Sequence, residues 1–160
     1  MKAAPRVRDM MNRKPVTLAP ETKMGDVARV FLKKKVPCAA VIDENRRFVG
    51  LVSTQGLMLA LVDAVYEEVP AGTVKSYIDP DPPRLTERMS LMQVAELFVK
   101  GGYTHRALPV IKEDRLVGVV SRLSVAQAVM DYLKGVERGS QAGSLYISAL
   151  KESDEKPTFD

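Results

Sequence analysis

The feature that most constrains the fold is an internal repeat, because one pattern of apolar and polar residues occurs twice in the 160 residues. The segment "VRDMM" at 7–11 returns as "VKSYI" at 74–78, a shift of 67 positions. The apolar positions that follow repeat at the same shift with i, i+3, i+4, i+7, i+8 spacing, which predicts a helix with one buried face in each copy. These positions are Met24, Val27, Ala28, Phe31 and Leu32, then Leu91, Val94, Ala95, Phe98 and Val99.

The starts of these two helices carry residues that can cap them. Thr22 precedes the first helix, and a threonine hydroxyl can accept a hydrogen bond from an early backbone N–H. Ser90 and Gln93 precede and open the second helix with the spacing of a capping box. We therefore expect a threonine cap in the first copy and a reciprocal cap in the second.

Each helix is followed by two short apolar runs with a charged turn between them. The runs are "AAVI" and "FVGLVS" around "DENRR" in the first copy, and "ALPVI" and "LVGVVS" around "KEDR" in the second, which predicts two β-hairpins. A second amphipathic helix follows each hairpin. Its predicted apolar face is Leu57, Ala60, Leu61, Ala64 and Val65 in the first copy, and Val125, Ala128, Val129, Tyr132 and Leu133 in the second.

Both copies therefore have the order β-α-β-β-α, and one copy alone would bury too little apolar surface to be stable. We predict an α/β (α+β) fold in which the two repeats pack sheet against sheet about a pseudo-two-fold axis, with two equivalent clefts between them. The Pro and Gly of "VPAGT" at 69–73 indicate a linker. The expected domains are 5–69 and 74–135, followed by a flexible C-terminal extension at 136–160.

Composition excludes several classes of protein. The longest nearly apolar run, "GLMLALVDAV", is shorter than the ~20 residues that span a bilayer, and the N-terminus lacks the apolar stretch of a signal peptide. Cys38 is the only cysteine, which excludes an internal disulfide and a cysteine-rich zinc site. With one histidine and no P-loop, G-x-S-x-G or H-E-x-x-H motif, catalysis has little support. We expect a cytoplasmic, non-enzymatic protein without a membrane segment, a metal or a required cofactor.

The chain has a net charge of +4, but its positive residues are scattered. The densest groups, "KKK" at 33–35 and "RR" at 46–47, have no aromatic residues between them for stacking on bases. This pattern is typical of solvated surface and disfavours nucleic acid as a partner.

The two copies resemble the CBS domain, named after cystathionine β-synthase, and together they resemble a Bateman module. The similarity runs over about residues 5 to 135, through "VRDMM…PVTLAPETKMGDVA", "AAVID", "FVGLVSTQGL", "LPVI" and "LVGVVSRLSV". The resemblance implies a non-catalytic regulatory module for AMP, ADP, ATP or S-adenosylmethionine. It also implies a homodimer, a disc of four CBS domains, which would act on an unidentified partner protein in trans.

In the family, a "G-h-h-[S/T]-x-x-D" stretch closes each cleft, the hydroxyl facing the ligand and the aspartate binding the ribose. Ser53 and Ser121 keep the hydroxyl, but Gly56 and Ser124 replace the aspartate. Loss of a charge-assisted hydrogen bond weakens binding by about one to two powers of ten. Since Ser124 supplies a hydroxyl and Gly56 supplies nothing, we expect the second copy to form the better ribose site.

The resemblance also implies a phosphate contact just before the "PV" strand, where Arg106 stands beside His105. An arginine donates two parallel hydrogen bonds to phosphate and never loses its charge. The first copy has Val36 and Pro37 there instead, which would line an adenine pocket. Two further candidate contacts, at equivalent first-strand positions, are Thr17 and Arg84.

Each of these residues also has a purely structural interpretation. Arg106 would equally pair with Glu113 or Asp114, a lone histidine is commonly a packing residue, and Ser53 and Ser121 would equally cap helices. Cys38 is expected to be a small buried residue. Three functions stay open: an adenine-nucleotide-responsive module, a ligand-free dimerisation or docking module, and, more weakly, a nucleic-acid-binding protein.

Overall fold

The structure is a computed structural model that describes residues 3–100 and 106–139. The first half contains α1 (Val7–Met10), β1 (Thr17–Leu18), α2 (Met24–Lys34), β2 (Cys38–Ile42), β3 (Phe48–Ser53) and α3 (Thr54–Glu67). After a 3₁₀ turn at Val74–Ser76, the second half contains α4 (Leu91–Lys100), β4 (Ala107–Lys112), β5 (Arg115–Ser121) and α5 (Arg122–Gly139). His105 and the expected extension beyond residue 139 lie outside the described residues.

The strands form two small sheets, one in each half. In the first, β1 is parallel to β2 and β2 is antiparallel to β3; in the second, β4 and β5 form an antiparallel hairpin. The first strand of the second repeat is reduced to one parallel bridge between Leu85 and Val110. Pro82 and Pro83 precede that bridge and have no N–H to extend the pairing. The predicted mixed fold of two repeats is confirmed, with a shorter strand at this point.

The charged turns close both hairpins. Glu113 and Asp114 form the β4–β5 turn with φ values of 52° and 63°, the left-handed geometry that a two-residue hairpin requires. The longer β2–β3 turn is held by Asp43, whose Oδ1 accepts hydrogen bonds from the backbone N–H groups of Asn45 and Arg47 at 2.8 and 2.9 Å.

Each half has its own apolar core, and a third cluster joins the two sheets. The first core contains Leu18, Met24, Val27, Phe31, Ala39, Val41, Val52, Leu57, Ala60 and Val74. The second contains Val7, Met11, Leu85, Leu91, Val94, Leu108, Val110, Val120 and Val125. The joining cluster consists of Ala40, Phe48, Leu51 and Leu116, with Ile42, Ile111 and Val119 packed on it. The facing sheets of the two halves therefore pack against each other.

The segment that precedes the first strand of each repeat packs against the other repeat, so these two segments are exchanged between the halves. Val7 and Met11, from the N-terminal segment, lie in the core of the second half, whereas Val74, from the segment after the linker, lies in the core of the first. Matching backbone bridges occur on both sides: Arg6 with Ser90, Thr73 with Lys23, Asn12 with Val119, and Asp79 with Leu51. The exchange follows the pseudo-two-fold relation and ties each half to the other's chain.

This exchange explains why both third strands contain "VG". A Cβ added at Gly50 would stand 2.5 Å from the carbonyl oxygen of Asp79, and one at Gly118 would stand 2.9 Å from that of Asn12. Both distances are shorter than real Cβ contacts allow. Glycine is needed because the exchanged backbone crosses the strand at these two equivalent points.

One of the two expected helix caps is present. Ser90 Oγ accepts from the Gln93 N–H at 3.2 Å and Gln93 Oε1 accepts from the Ser90 N–H at 2.9 Å, so the capping box is confirmed. The Thr22 prediction was wrong, because the N-cap of α2 is Lys23 and it makes no side-chain cap. Thr22 is instead a backbone partner of the exchanged segment, accepting the N–H of Val74 at 2.8 Å.

The predicted helix faces are buried or half-buried except at four positions. Leu32 is 77% exposed and its equivalent Val99 is 81% exposed, and Leu61 and Val65 of α3 also face outward. At 3.6 residues per turn, position i+8 lies about 80° around the helix from position i and about 140° from i+3. The i+8 residues Leu32, Val65 and Val99 therefore fall outside the core-facing stripe, and the prediction was wrong for them. It was also wrong for Leu61, which is at position i+4 and 39% exposed.

Candidate functional site

A cleft of about 250 Å³ opens between the two halves, slightly below the ~300–1,000 Å³ usual for ligand pockets. Its walls are formed by the segment after α1, the start of β2, the start of β4, the end of β5 and the first turn of α5. The lining residues are Asn12, Lys14, Pro15, Val16, Val36, Pro37, Cys38, Ala39, Ala40, Leu51, Ala107, Val119, Ser121 and Ser124. The cleft is thus apolar over most of its wall, with a few convergent polar groups.

Four of the residues predicted from the sequence meet in this cleft. Val36 and Pro37 lie in the loop before β2, and Ser121 and Ser124 lie at the end of β5 and in the first turn of α5. The apolar pair of the first repeat therefore faces the hydroxyl pair of the second.

The other predicted contacts lie elsewhere. Thr17 is exposed on β1, and half-buried Ser53 caps α3 by accepting the Gly56 N–H at 3.3 Å. The Arg84 guanidinium lies over the Phe48 ring, 5.3 Å from its centre. None of these three lines the cleft.

Arg106 is exposed and is not among the cleft residues either. Its carbonyl oxygen accepts the N–H of Arg122 at 2.9 Å, which places its backbone beside the start of α5. Among the described residues it forms no ion pair with Glu113 or Asp114, the pairing considered as its structural alternative.

The two serines form a small hydrogen-bonded unit. Ser121 Oγ accepts the backbone N–H of Ser124 at 3.1 Å and lies 2.8 Å from Ser124 Oγ. One hydroxyl donates to the other, which leaves one O–H of the pair available as a donor and several lone pairs as acceptors. Ser121 thus caps α5 and still supplies polar atoms to the cleft.

Lys14 is the cleft residue that the sequence interpretation missed. It supplies the only cation among the lining residues, and its backbone N–H donates to Asn12 Oδ1 at 2.9 Å. The signal was present as "NRKP", just before β1, but the exchange that carries this segment to the second half is not visible in the sequence.

Cys38 also lines the cleft and is half-buried instead of fully buried as expected. Burial raises the pKa of its thiol from the ordinary 9.0 to about 11. The thiol is therefore neutral at physiological pH and contributes a small, weakly polar surface to the wall.

Gly56, which stands where the resembled motif has an aspartate, lies against the segment that contains Tyr77. A Cβ at this position would stand 2.8 Å from the carbonyl oxygen of Tyr77, part of the exchanged segment. The Tyr77 hydroxyl donates to Asp63 Oδ2 at 3.3 Å, which adds a tie between that segment and α3. A larger residue at position 56 would push the segment away.

Neither a metal-binding cluster nor a membrane-spanning helix is found within residues 3–100 and 106–139. No group of three or more His, Cys, Asp or Glu side chains there is arranged to hold a metal ion. Across that same part of the chain, every helix is too short or too polar to cross a membrane.

The family model of the CBS domain matches residues 7–63 and again residues 74–131. The chain belongs to the CBS domain family. The two repeats, their small sheets and the cleft between them are therefore those of a CBS pair.

Among curated proteins, this CBS pair is 29% identical over 115 residues to the uncharacterized protein MJ1225 of Methanocaldococcus jannaschii, covering 72% of this chain and 39% of that protein. It is also 29% identical over 129 residues to the A-adding tRNA nucleotidyltransferase of Aquifex aeolicus, covering 81% of this chain and 15% of that protein. The chain thus spans less than half the length of these two relatives.

Solved structures give the same fold. CBSX2 in complex with AMP is 25% identical, with a TM-score of 0.71 and coverage of 80% of this chain and 98% of that one. The CBS domain pair of MJ0100, in complex with 5′-methylthioadenosine and S-adenosyl-L-methionine, is 18% identical, with a TM-score of 0.70 and coverage of 81% and 99%.

Proposed function

We propose that this CBS pair is a non-catalytic regulatory module that binds an adenosine-containing ligand in the cleft and signals to a partner protein in trans. The observation that carries the proposal is the convergence of an apolar wall, a hydroxyl pair and one cation in a single cleft. The AMP bound by CBSX2 and the two adenosine compounds bound by MJ0100 support this class of ligand.

Each part of an adenine nucleotide has a matching surface. Val36 and Pro37 offer an apolar wall for the planar base. The Ser121–Ser124 pair offers a donor and acceptors to the ribose diol, in place of the missing aspartate. Lys14 offers a positive charge to the phosphate, and α5 begins beside the serines, where its dipole also favours an anion.

The charge in the cleft favours a nucleotide over S-adenosylmethionine. Lys14 attracts a phosphate and repels a sulfonium cation. Because the cleft is small and holds one cation, we infer that AMP fits it best. The sequence predicts Arg106 as a phosphate contact for AMP or ATP, with His105 beside it. Because Arg106 does not line the cleft and its backbone lies at the start of α5, we propose that it contacts only the additional phosphates of ADP or ATP.

Regulation follows from the position of the ligand between the halves. A nucleotide in the cleft would contact β2 of the first repeat and the start of α5 in the second, so it would bias how the two repeats sit against each other. A partner protein that contacts both repeats would sense that change.

The thiol of Cys38 provides a direct test of occupancy. Alkylation of Cys38 by iodoacetamide at pH 9, where a small fraction of the thiol is ionised, should slow when AMP is present, because the ligand would cover the thiol. The midpoint temperature of thermal unfolding should also rise. A ligand at a concentration of 100 times its dissociation constant adds about 2.7 kcal/mol to the free energy of unfolding. Unchanged alkylation together with unchanged unfolding in millimolar AMP would contradict the proposal.

A ligand-free assembly module is the second candidate function, and the surface of α3 favours it. This helix leaves a row of apolar side chains exposed, including Val65 at 75% and Tyr66 at 84%. The other members of the row are Met58, Leu59 and Val62. An apolar patch of this kind is typical of an interface. We therefore propose that two copies pair through α3, whether or not the cleft is filled.

Light scattering distinguishes the assemblies. A homodimer should have twice the 17.6 kDa mass of the chain, and Val65→Asp should shift it toward the monomer. Thr17→Asp, a change at an exposed residue of β1, is the control and should leave the mass unchanged. A parent protein that stays at 17.6 kDa at micromolar concentration would contradict pairing through α3.

A further inference from the structure

A second groove, lined by residues of α1 and the second repeat, shares no residue with the cleft. It has a volume of about 470 Å³ and is formed where α1 meets the segment before α4 and the end of β4. Its lining residues are Arg8, Thr86, Glu87, Arg88, Ile111 and Lys112. We name these six residues the outer groove.

The outer groove concentrates positive charge. Arg8, Arg88 and Lys112 are exposed there, and within the described residues none of them forms an ion pair with a carboxylate. Two more guanidiniums adjoin the groove, because Arg6 donates to the carbonyl oxygen of Arg88 and Arg13 donates to that of Arg8. Repulsion among like charges costs stability, and a bound anion would relieve it.

The first repeat supplies an internal comparison at the same place in the fold. The Val7 N–H donates to the Met89 carbonyl oxygen at 2.9 Å, and the equivalent Val74 N–H donates to that of Thr22 at 2.8 Å. The segments that carry the groove residues are therefore held in the same way in both halves.

At two of the three equivalent cation positions the charge is reversed, and at the third it is kept. Arg8, Arg88 and Lys112 correspond to Lys75, Glu21 and Asp43, and Glu87 corresponds to Pro20. Three cations and one carboxylate give +2 in the second repeat, whereas one cation and two carboxylates give −1 in the first. The fold therefore does not require a basic groove at this place. We infer that the positive charge of the outer groove serves binding instead of folding.

We propose that the outer groove binds a phosphorylated small molecule, whose phosphate is held by Arg8, Arg88 and Lys112. Two arginines can each donate two parallel hydrogen bonds to phosphate oxygens, and a lysine adds a compact charge. The Thr86 hydroxyl lines the same groove, and half-buried Ile111 gives an apolar surface for the rest of the molecule.

The shape of the groove favours a small molecule over nucleic acid. The cations converge on one concavity of a volume usual for ligand pockets, instead of following a strip along which a phosphate backbone could run. No aromatic side chain lines the groove to stack on a base.

The test uses pyrophosphate as the probe, with binding measured by calorimetry at constant ionic strength. The double variant Arg88→Ser, Lys112→Ser should weaken pyrophosphate binding at least tenfold. The control Lys34→Ser, Lys75→Ser removes the same charge from exposed positions elsewhere and should change binding less than twofold. Circular dichroism checks that both variants fold.

Three results would overturn the proposal. One is a parent protein that does not bind pyrophosphate at millimolar concentration, and another is an equal loss in the control variant, which would show only a general charge effect. The third is a duplex oligonucleotide that binds more tightly than pyrophosphate at physiological salt and is lost in the same groove variant. Protection of Cys38 by AMP should persist in the groove variant, and its loss would show that the two sites are one.

Discussion

The carbonyl oxygen of Tyr77 lies 2.8 Å from the point where a Cβ at Gly56 would stand. Gly56→Ala should therefore lower the free energy of unfolding by about 1–3 kcal/mol, the usual cost of overpacking. Gly25→Ala is the matched control, because Gly25 also lies in the first turn of a helix but has no atom within 4 Å of its added Cβ. It should be neutral or slightly stabilising, since alanine favours helix. Urea unfolding measures both, and equal effects would contradict the close approach.

The two strand glycines give a second prediction. Gly50→Ala and Gly118→Ala should both destabilise the protein, because each added Cβ would meet the backbone of an exchanged segment. Gly50→Ala should cost more, since the nearest atom is at 2.5 Å instead of 2.9 Å. Chemical unfolding of the two variants would show this order. A pair of alanine variants as stable as the parent would contradict the exchange.

The pKa of Cys38 gives a third prediction, for alkaline pH. Because burial raises this pKa from 9.0 to about 11, the folded state holds the thiol proton more tightly than the unfolded state. The resulting stability is complete below pH 9 and is lost as the pH rises toward 11, with a fall of about 2 kcal/mol by pH 10.5. Cys38→Ala should lack this part of the fall.

The comparison between parent and Cys38→Ala isolates the thiol, since Tyr77 also titrates at alkaline pH. Burial, followed by the charge and hydrogen bond of Asp63, raises the pKa of Tyr77 above its usual 10.0. That contribution is present in both proteins and cancels. Urea unfolding at pH 8 and pH 10.5 measures the difference, and parallel losses in the two proteins would contradict the assignment to Cys38.

The fold was readable from the sequence because its signals are local and occur twice. The hairpins follow from apolar runs around charged turns, and Ser90 with Gln93 identifies the start of α4. The exchanged segments could not be read in this way, because their pairing joins residues far apart in the chain. Thr22 shows the consequence: its hydroxyl suggested a cap, but its carbonyl oxygen serves the exchanged Val74.

The cleft was predictable only in part, for the same reason. Val36, Pro37, Ser121 and Ser124 were predicted from the resemblance to the CBS domain, and all four line one cleft. Lys14 was missed because the exchange, and not its local sequence, brings it there. Arg106 was predicted to contact phosphate, but it is not among the residues that line the cleft.

This difference between Lys14 and Arg106 gives a fourth prediction. Arg106→Ala should leave AMP binding within about twofold of the parent, because Arg106 does not line the cleft. It should weaken ATP binding more, because its guanidinium would contact the additional phosphates. Calorimetry with both nucleotides separates these effects. A large, equal loss for AMP and ATP would place Arg106 at the first phosphate and contradict the geometry.

The most direct test of the central proposal is calorimetry of Lys14→Ala with AMP and adenosine. If AMP lies in the cleft with its phosphate at Lys14, this variant should lose about 1.5–3 kcal/mol of AMP binding, the value of a charged hydrogen bond. Adenosine, which has no phosphate, should bind the variant and the parent nearly equally. A parent protein that binds neither compound at millimolar concentration, or a variant that loses both equally, would contradict nucleotide binding in this cleft.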